Sequence, residues 1–258
     1  MRVIVQHWMT VNLMTCAPND ASRIKRNARC AWAGAIVALM LAALTSATAL
    51  AATASGEVMH LSGTLSVTRP DGAMLVLGQK SEVFPGDVLL TQKDSYAQIN
   101  FTDGSSLTMR PLTQIKLDAY SYVPDKPAAD NAFFRLIKGG MRTVTGLIGK
   151  RGNQDAYRIG TATATIGIRG SIGDTMACAP SCEGVVKGGE VLEPGTHHET
   201  ISGVYTMQTG DKMTVIEEGH SGYSNGLDIK ITIGGIGGGK VDLHLPAGGG
   251  LKDAAGCK

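Results

Sequence analysis

Between Gly56 and Leu117 apolar residues alternate with polar ones in short runs, and turn residues end each run. Leu61, Leu65 and Val67 alternate with Ser62, Thr64, Ser66 and Thr68. Met74–Leu77 follows Pro70-Asp71-Gly72, and Val83-Phe84 leads through Pro85-Gly86-Asp87 into Val88–Thr91. Ala97, Ile99 and Phe101 oppose Gln98 and Asn100, Asp103-Gly104 turns towards Leu107 and Met109, and Ile115 and Leu117 repeat the pattern. A period of two places one set of side chains inside and the other in water. No run is long enough for a helix. Turns recurring about every 8–12 residues predict an all-β fold, a sandwich, barrel or solenoid of short strands.

Beyond Leu117 the punctuation continues. Tyr120–Ala132 reads as a polar, Pro-containing loop. Phe133–Ile137 is a short apolar run closed by Gly139-Gly140, and Met141–Ile148 suits a separate strand. Gly149–Asp155 is charged and expected to be exposed. Tyr157–Ile168 alternates Thr and Ile with small residues, and Arg169-Gly170-Ser171 interrupts it. Gly203–Met207, Lys212–Ile216 and Gly222-Tyr223 predict closing hairpins. Residues 234–258 are dominated by glycine and read as a flexible tail, with Val241–Leu245 able to dock as an edge strand.

The N-terminus carries a different signal. Arg23, Lys25, Arg26 and Arg29 precede an uncharged run from Ala31 to Ala54, and small residues recur at alternate positions from Ala47. A basic region, an apolar core and an A-x-A ending describe an export signal, with cleavage expected after Ala51, or after Ala49 or Ala54. The alternative is a retained anchor helix, since the run exceeds the about 20 apolar residues that span a bilayer. Cys30 precedes the apolar core, where a lipoprotein cysteine would not stand.

Cleavage would change the charge balance. The full chain is formally +2, but removing five basic residues and one acid leaves 19 basic against 21 acidic. A surface so near neutrality lacks the basic footprint of a nucleic-acid binder. Cys16 and Cys30 would leave with the signal, so the mature chain would keep Cys178, Cys182 and Cys257. Cys178 and Cys182 flank a Pro-Ser turn and can close a small disulfide loop in an oxidising compartment. Two free thiols or a metal pair are the alternatives, the last weakened because no second ligand pair follows at zinc-site spacing.

Candidate sites are few. Gly86 and Asp87, and Asp103 and Gly104, sit in turns where carboxylates can bind calcium. The stronger reading is structural: Gly supplies positive φ and Asp accepts from nearby amides, and the ligand density of a calcium loop is missing. Arg169, beside Gly170, could receive an anion, but its planar fork suits bridging carbonyls or a carboxylate between strands. His197, His198 and Glu199 resemble a metal cluster. Neighbours on a strand point to opposite faces, so a solvated loop is the expected home of both imidazoles. No nucleophile elbow, phosphate loop or paired-carboxylate signature is present, so no catalytic residue and no cofactor is assigned.

As a set, Gly56-Glu57-Val58, Gly63–Val67, Pro85-Gly86-Asp87 with Leu89 and Thr91, Ser95–Phe101, Asp103-Gly104-Ser105 and Ile168–Ser171 resemble the FecR domain. The resemblance covers about Gly56 to Met176, and Ser171 stands where that family usually has Thr. It implies a solenoid-like β architecture, with a sandwich as the alternative. The family's signalling members join this domain to a cytoplasmic anti-sigma segment and a transporter-docking domain. Too few residues precede the apolar run for the first, and the Gly-rich end does not look like the second. The expected organisation is an export segment over 1–54 containing a signal helix, a FecR-like β domain over 55–177, a hairpin-rich continuation over 178–233 and a tail over 234–258. The expected role is a non-catalytic periplasmic or secreted module that binds or supports at the envelope. Its partners would be a protein or a polysaccharide, with no nucleic acid, and membrane contact only through an uncleaved N-terminal segment. The alternative is a component of FecR-type signalling acting with a separate membrane regulator.

Overall fold

The computed structural model describes residues 53–153, 155–178 and 192–236. The signal helix expected from the sequence, which falls within residues 1–52, lies outside the described residues, as do Cys182 and the stretch beyond Ile236. Within them the chain is all-β: seventeen strands hydrogen-bond into one mixed sheet that folds back on itself.

The first strands are β1 (Gly56–Ser62), β2 (Leu65–Thr68), β3 (Met74–Leu77), β4 (Glu82–Val83) and β5 (Val88–Thr91). Then come β6 (Tyr96–Phe101), β7 (Ser106–Met109), β8 (Gln114–Ser121) and the long β9 (Asn131–Val144). Four hairpins follow: β10 (Tyr157–Gly160) with β11 (Thr165–Ile168), and β12 (Ile172–Cys178) with β13 (Gly195–Ser202). The last two are β14 (Val204–Thr209) with β15 (Lys212–Glu217), and β16 (His220–Ser224) with β17 (Ile229–Ile233).

These strands form two faces. The front face runs β4-β1-β6-β7-β9-β12-β13-β16-β17. The back face runs β3-β2-β5-β8-β9-β10-β11-β14-β15. The closing hairpins alternate between the faces, with β14 stacked on β11 and β16 on β13. The architecture thus combines a sandwich with the stepwise stacking of a solenoid. All pairings among the named strands are antiparallel except β9 with β10.

β9 joins the faces. Its first half pairs with β8 and β10 at the back, and its second half with β7 and β12 at the front. Gly139 makes the crossing with φ at +89, a left-handed conformation that a side chain would strain. A Cβ there would also lie 2.4 Å from Thr113 Oγ1 and 2.6 Å from Thr113 Cα. The two strands expected around Gly139-Gly140 are therefore one 14-residue strand. Glycine marks a bend within it rather than an end.

The core lies between the faces. Val58, Ile99 and Leu107 from the front meet Leu65, Leu89, Ile115 and Leu117 from the back in one buried cluster. Fully burying each such side chain contributes about 1.5–3 kcal/mol. Aromatic rings bridge the faces: Phe101 stacks on Tyr120 at 5.3 Å and meets Phe134 edge-on at 5.1 Å. Further along, His198 of β13 lies 4.1 Å from the Tyr205 ring of β14. A Cβ on Gly222 would fall 2.5 Å from Ile216 Cδ1, so glycine allows the faces to approach closely there.

A candidate binding cleft at the end of β8

The loop after β8 is shorter than expected, because β8 runs to Ser121 and β9 begins at Asn131. It is held in place from several sides. Arg151 donates from Nη2 to Val123 O at 2.9 Å and from Nε and Nη2 to both Asp130 oxygens at 3.0 and 3.1 Å. It also donates to Pro124 O and lies 4.7 Å from the centre of the Tyr122 ring. A pair with Asp130, which is 0% exposed at its side chain, resists loss of the Arg151 proton and keeps the guanidinium charged.

Asp103 secures the base of the same region. Its Oδ1 accepts from the Ser105 amide at 3.0 Å, the Ser105 hydroxyl at 2.6 Å and the Tyr120 hydroxyl at 3.0 Å. Its Oδ2 accepts from the Ile148 amide at 3.1 Å. Tyr120 in turn accepts from the Asp103 amide at 3.0 Å. Burial pushes the Tyr120 hydroxyl well above its usual range, so it stays a neutral donor. On the opposite wall Ser55 donates its amide to Val83 O at 2.8 Å, and its carbonyl accepts from Thr102 at 3.0 Å.

Together these residues frame a cleft of about 750 Å³. Its apolar lining comes from Pro85, Tyr120, Tyr122, Val123 and Pro124, and its hydroxyls from Thr53, Ser55, Thr102 and Ser121. None of these lining side chains is a carboxylate, ammonium or guanidinium. Rings and proline faces offer flat apolar contact, and the hydroxyls both donate and accept. Such a surface suits an uncharged partner.

The turn residues singled out from sequence serve the framework. Gly86 has φ at +88 and donates its amide to Leu117 O at 2.6 Å. Asp87 is fully buried, accepts from the Phe84 amide at 2.8 Å and pairs with Arg69. Burial pushes its carboxyl up, against the downward pull of that amide and of Arg69. Gly104 turns at φ +82 and Gly170 at φ +74. Arg169 lies out in solvent, 42% exposed, with Asp155 at 3.5 Å. The strand-bridging expected of it falls instead to Arg142, which grips Asp174 with two hydrogen bonds of 2.8 and 2.9 Å between β9 and β12. Arg69, Arg142 and Arg151 were not legible as clamps, because their partners are 18, 32 and 21 residues away.

The paired histidines correct the sequence reading. They stand on β13, not in a solvated loop: His198 is 0% exposed and His197 8%. His197 Nε2 meets Glu193 O at 2.8 Å and its ring stacks on Tyr223. His198 Nδ1 meets the Thr175 hydroxyl at 2.9 Å, and desolvation lowers its pKa to about 3. Among the described residues no three His, Cys, Asp or Glu side chains group to hold a metal ion. Also among them, no helix is long and apolar enough to cross a membrane. Cys178 closes β12, 2% exposed, while its expected partner Cys182 lies outside the described residues.

The turn from β6 through Asp103-Gly104-Ser105 into β7, and the Ile168–Ser171 step from β11 to β12, fall within one further finding. Residues 87–191 match the family model described as FecR protein. The FecR match opens at the buried Asp87 and runs past β12, starting and ending later than the resemblance read from the sequence. No curated protein matches the chain. Among solved structures, two of an anti-sigma factor candidate from Parabacteroides distasonis align at 10% and 9% identity, with TM-scores of 0.42 and 0.39. Each alignment covers 57% of this chain and 60% of the other. A cell surface anchoring domain aligns at 25% identity and a TM-score of 0.24, over 25% of this chain and 84% of the other. Likenesses this weak carry no functional argument beside the FecR match.

Proposed function

We propose that this chain is a non-catalytic, exported module of the cell envelope, periplasmic or secreted, that binds a protein or polysaccharide partner through the cleft at the end of β8. The observation that carries the reading is a preformed, uncharged cleft whose walls are fixed by Arg151 and Asp103. Fixed walls reduce the ordering cost of binding, and flat rings beside hydroxyls match a neutral sugar chain or an uncharged extended peptide. The FecR match and the export pattern before Ala54 support an envelope setting. A disulfide between Cys178 and Cys182 belongs to the same reading, and a thiol count on the unreduced exported protein checks it.

A photo-crosslinking residue in place of Tyr122, used in intact envelopes, tests the binding role. A discrete adduct that disappears when Pro124 is replaced by Asp supports it. The absence of any adduct from Tyr122, with the protein folded and exported, overturns it. The FecR match favours a second reading, a signalling component working with a separate membrane regulator. In that case the adduct is a membrane regulator, and deleting the chain alters a sigma-factor response.

A further inference from the structure

Among the described residues, both terminal strands of the back face expose apolar side chains, although β15 also carries Lys212 and Glu217 at its ends. At one end of the back face β3 pairs, among the described residues, only with β2, and Met74, Leu75 and Val76 are 76%, 49% and 75% exposed. At the other end β15 pairs with β14, and Met213 and Val215 are 66% and 51% exposed. Edge strands of soluble proteins are ordinarily guarded by charge, proline or a bulge, because their free amides and carbonyls accept another strand. β3 carries neither a charged residue nor a proline.

The two edges also match each other. Arg69 donates its amide to Ala73 O, so Ala73, Leu75 and Leu77 turn their backbone groups towards β2. Met74 and Val76 therefore direct theirs outward. In β15 the two-residue turn at Gly210-Asp211 makes Thr209 and Lys212 the hydrogen-bonded pair next to it. Met213 and Val215 then direct their backbone groups outward in the same way. Side-chain faces agree too. Val76 lies across from Ser66 and Met74 from Thr68, on the side away from the core. Val215 lies across from Thr206 and Met213 from the exposed Gln208, on that same side of the back face. Following strand directions across the back face, β3 and β15 run oppositely, since eight steps separate them and only the β9–β10 step is parallel.

We propose that these edges join copies of this chain head to tail, β15 of one copy adding antiparallel to β3 of the next. Met74 faces Val215 and Val76 faces Met213, so the back face continues from copy to copy with its alternation intact. The contact uses two different surfaces of one molecule, so it does not close into a two-fold dimer and propagates along the stack. What selects a second copy over another partner is this agreement of direction, backbone orientation, side-chain face and apolar character between two ends of the same molecule.

The test uses the full chain and two variants, Val76→Lys and Val215→Lys, each at an exposed edge position. In sedimentation velocity the wild type is expected to show a sedimentation coefficient that rises with concentration. Each variant alone loses that rise, because every copy lacks one of the two edges. An equimolar mixture regains pairing but stops at a heterodimer, since one intact edge of each kind remains. A wild type that stays monomeric, a single variant that associates like the wild type, or a mixture that fails to pair overturns the proposal. If a lysine variant misfolds by circular dichroism, Met74→Cys and Val215→Cys replace it. Mixed copies crosslinked from position 74 to position 215 support the contact, and links only between like positions overturn it.

Discussion

Single side chains hold this protein together where strands alone would not. Asp103 satisfies two backbone amides and two hydroxyls while 2% exposed. Asp103→Ala leaves buried donors without partners, at about 1–3 kcal/mol for each. A fall of at least ~3 kcal/mol in unfolding free energy is expected by urea titration, with Asp103→Asn costing less because one acceptor oxygen remains. Arg142 and Arg169 make a paired comparison. Arg142→Ala strands the buried Asp174 carboxylate and is expected to cost ~3 kcal/mol or more. Arg169→Ala breaks only an exposed contact and is expected to stay within ~0.5 kcal/mol of wild type in the same assay. His198 adds a pH dependence. Unfolded, its imidazole takes a proton near pH 6.5, whereas burial in the fold keeps it neutral down to about 3. Between those values the unfolded chain binds more protons, so this contribution is complete above pH 6.5 and is lost on acidification. Burial pushes His197 the same way. The expected slope from His198 is about 1.4 kcal/mol per pH unit within that window. Urea midpoints from pH 7 to pH 4 check it: His198→Phe should flatten the curve, and an unchanged slope would remove His198 as its source.

At the scale of elements, β9 decides the architecture. Among the described strands it is the one shared by both faces, and Gly139 allows its crossing. Gly139→Ala meets both a positive φ and the backbone of Thr113, so relaxation cannot come from a side chain alone. The expected loss is ~3 kcal/mol or more, read as a lowered denaturation midpoint. Gly72→Ala is the control, because its φ is +88 while nothing lies within 4 Å of the added methyl. It should cost only the ~1 kcal/mol of the left-handed conformation. The alternation from Leu65 to Leu117 located β2 to β8 closely, since a period of two is a local property, but the run read from Leu61 crosses the Gly63-Thr64 turn that separates β1 from β2. The His197-His198 strand was missed for the converse reason. Two polar rings in succession carry no alternation, and only the packing of Tyr205 and Tyr223 explains their burial.

For the molecule as a whole, stability should be graded along the stack. β9 and its neighbours β8, β10, β7 and β12 are paired on both sides, while among the described residues β3 and β15 close the ends of the back face and β4 and β17 those of the front. Amide hydrogen exchange is expected to be slowest across β9 and fastest in those four edge strands. Protection in β3 and β15 should rise with protein concentration if copies add end to end. The cleft belongs to this scale as well. Its walls come from Ser55, Thr102 and the β8 end, which sequence order separates and the folding of the front face against the back brings together.

The sequence alone determined the strand class, the turn positions and most of the core, because alternation and turn chemistry act between near neighbours. Tertiary structure decided which arginines clamp buried carboxylates, that β9 runs unbroken through Gly139, and that two imidazoles are buried. Those outcomes depend on register between strands distant in the chain. Register is set by burying one continuous core between two faces, a condition that no short stretch of residues contains.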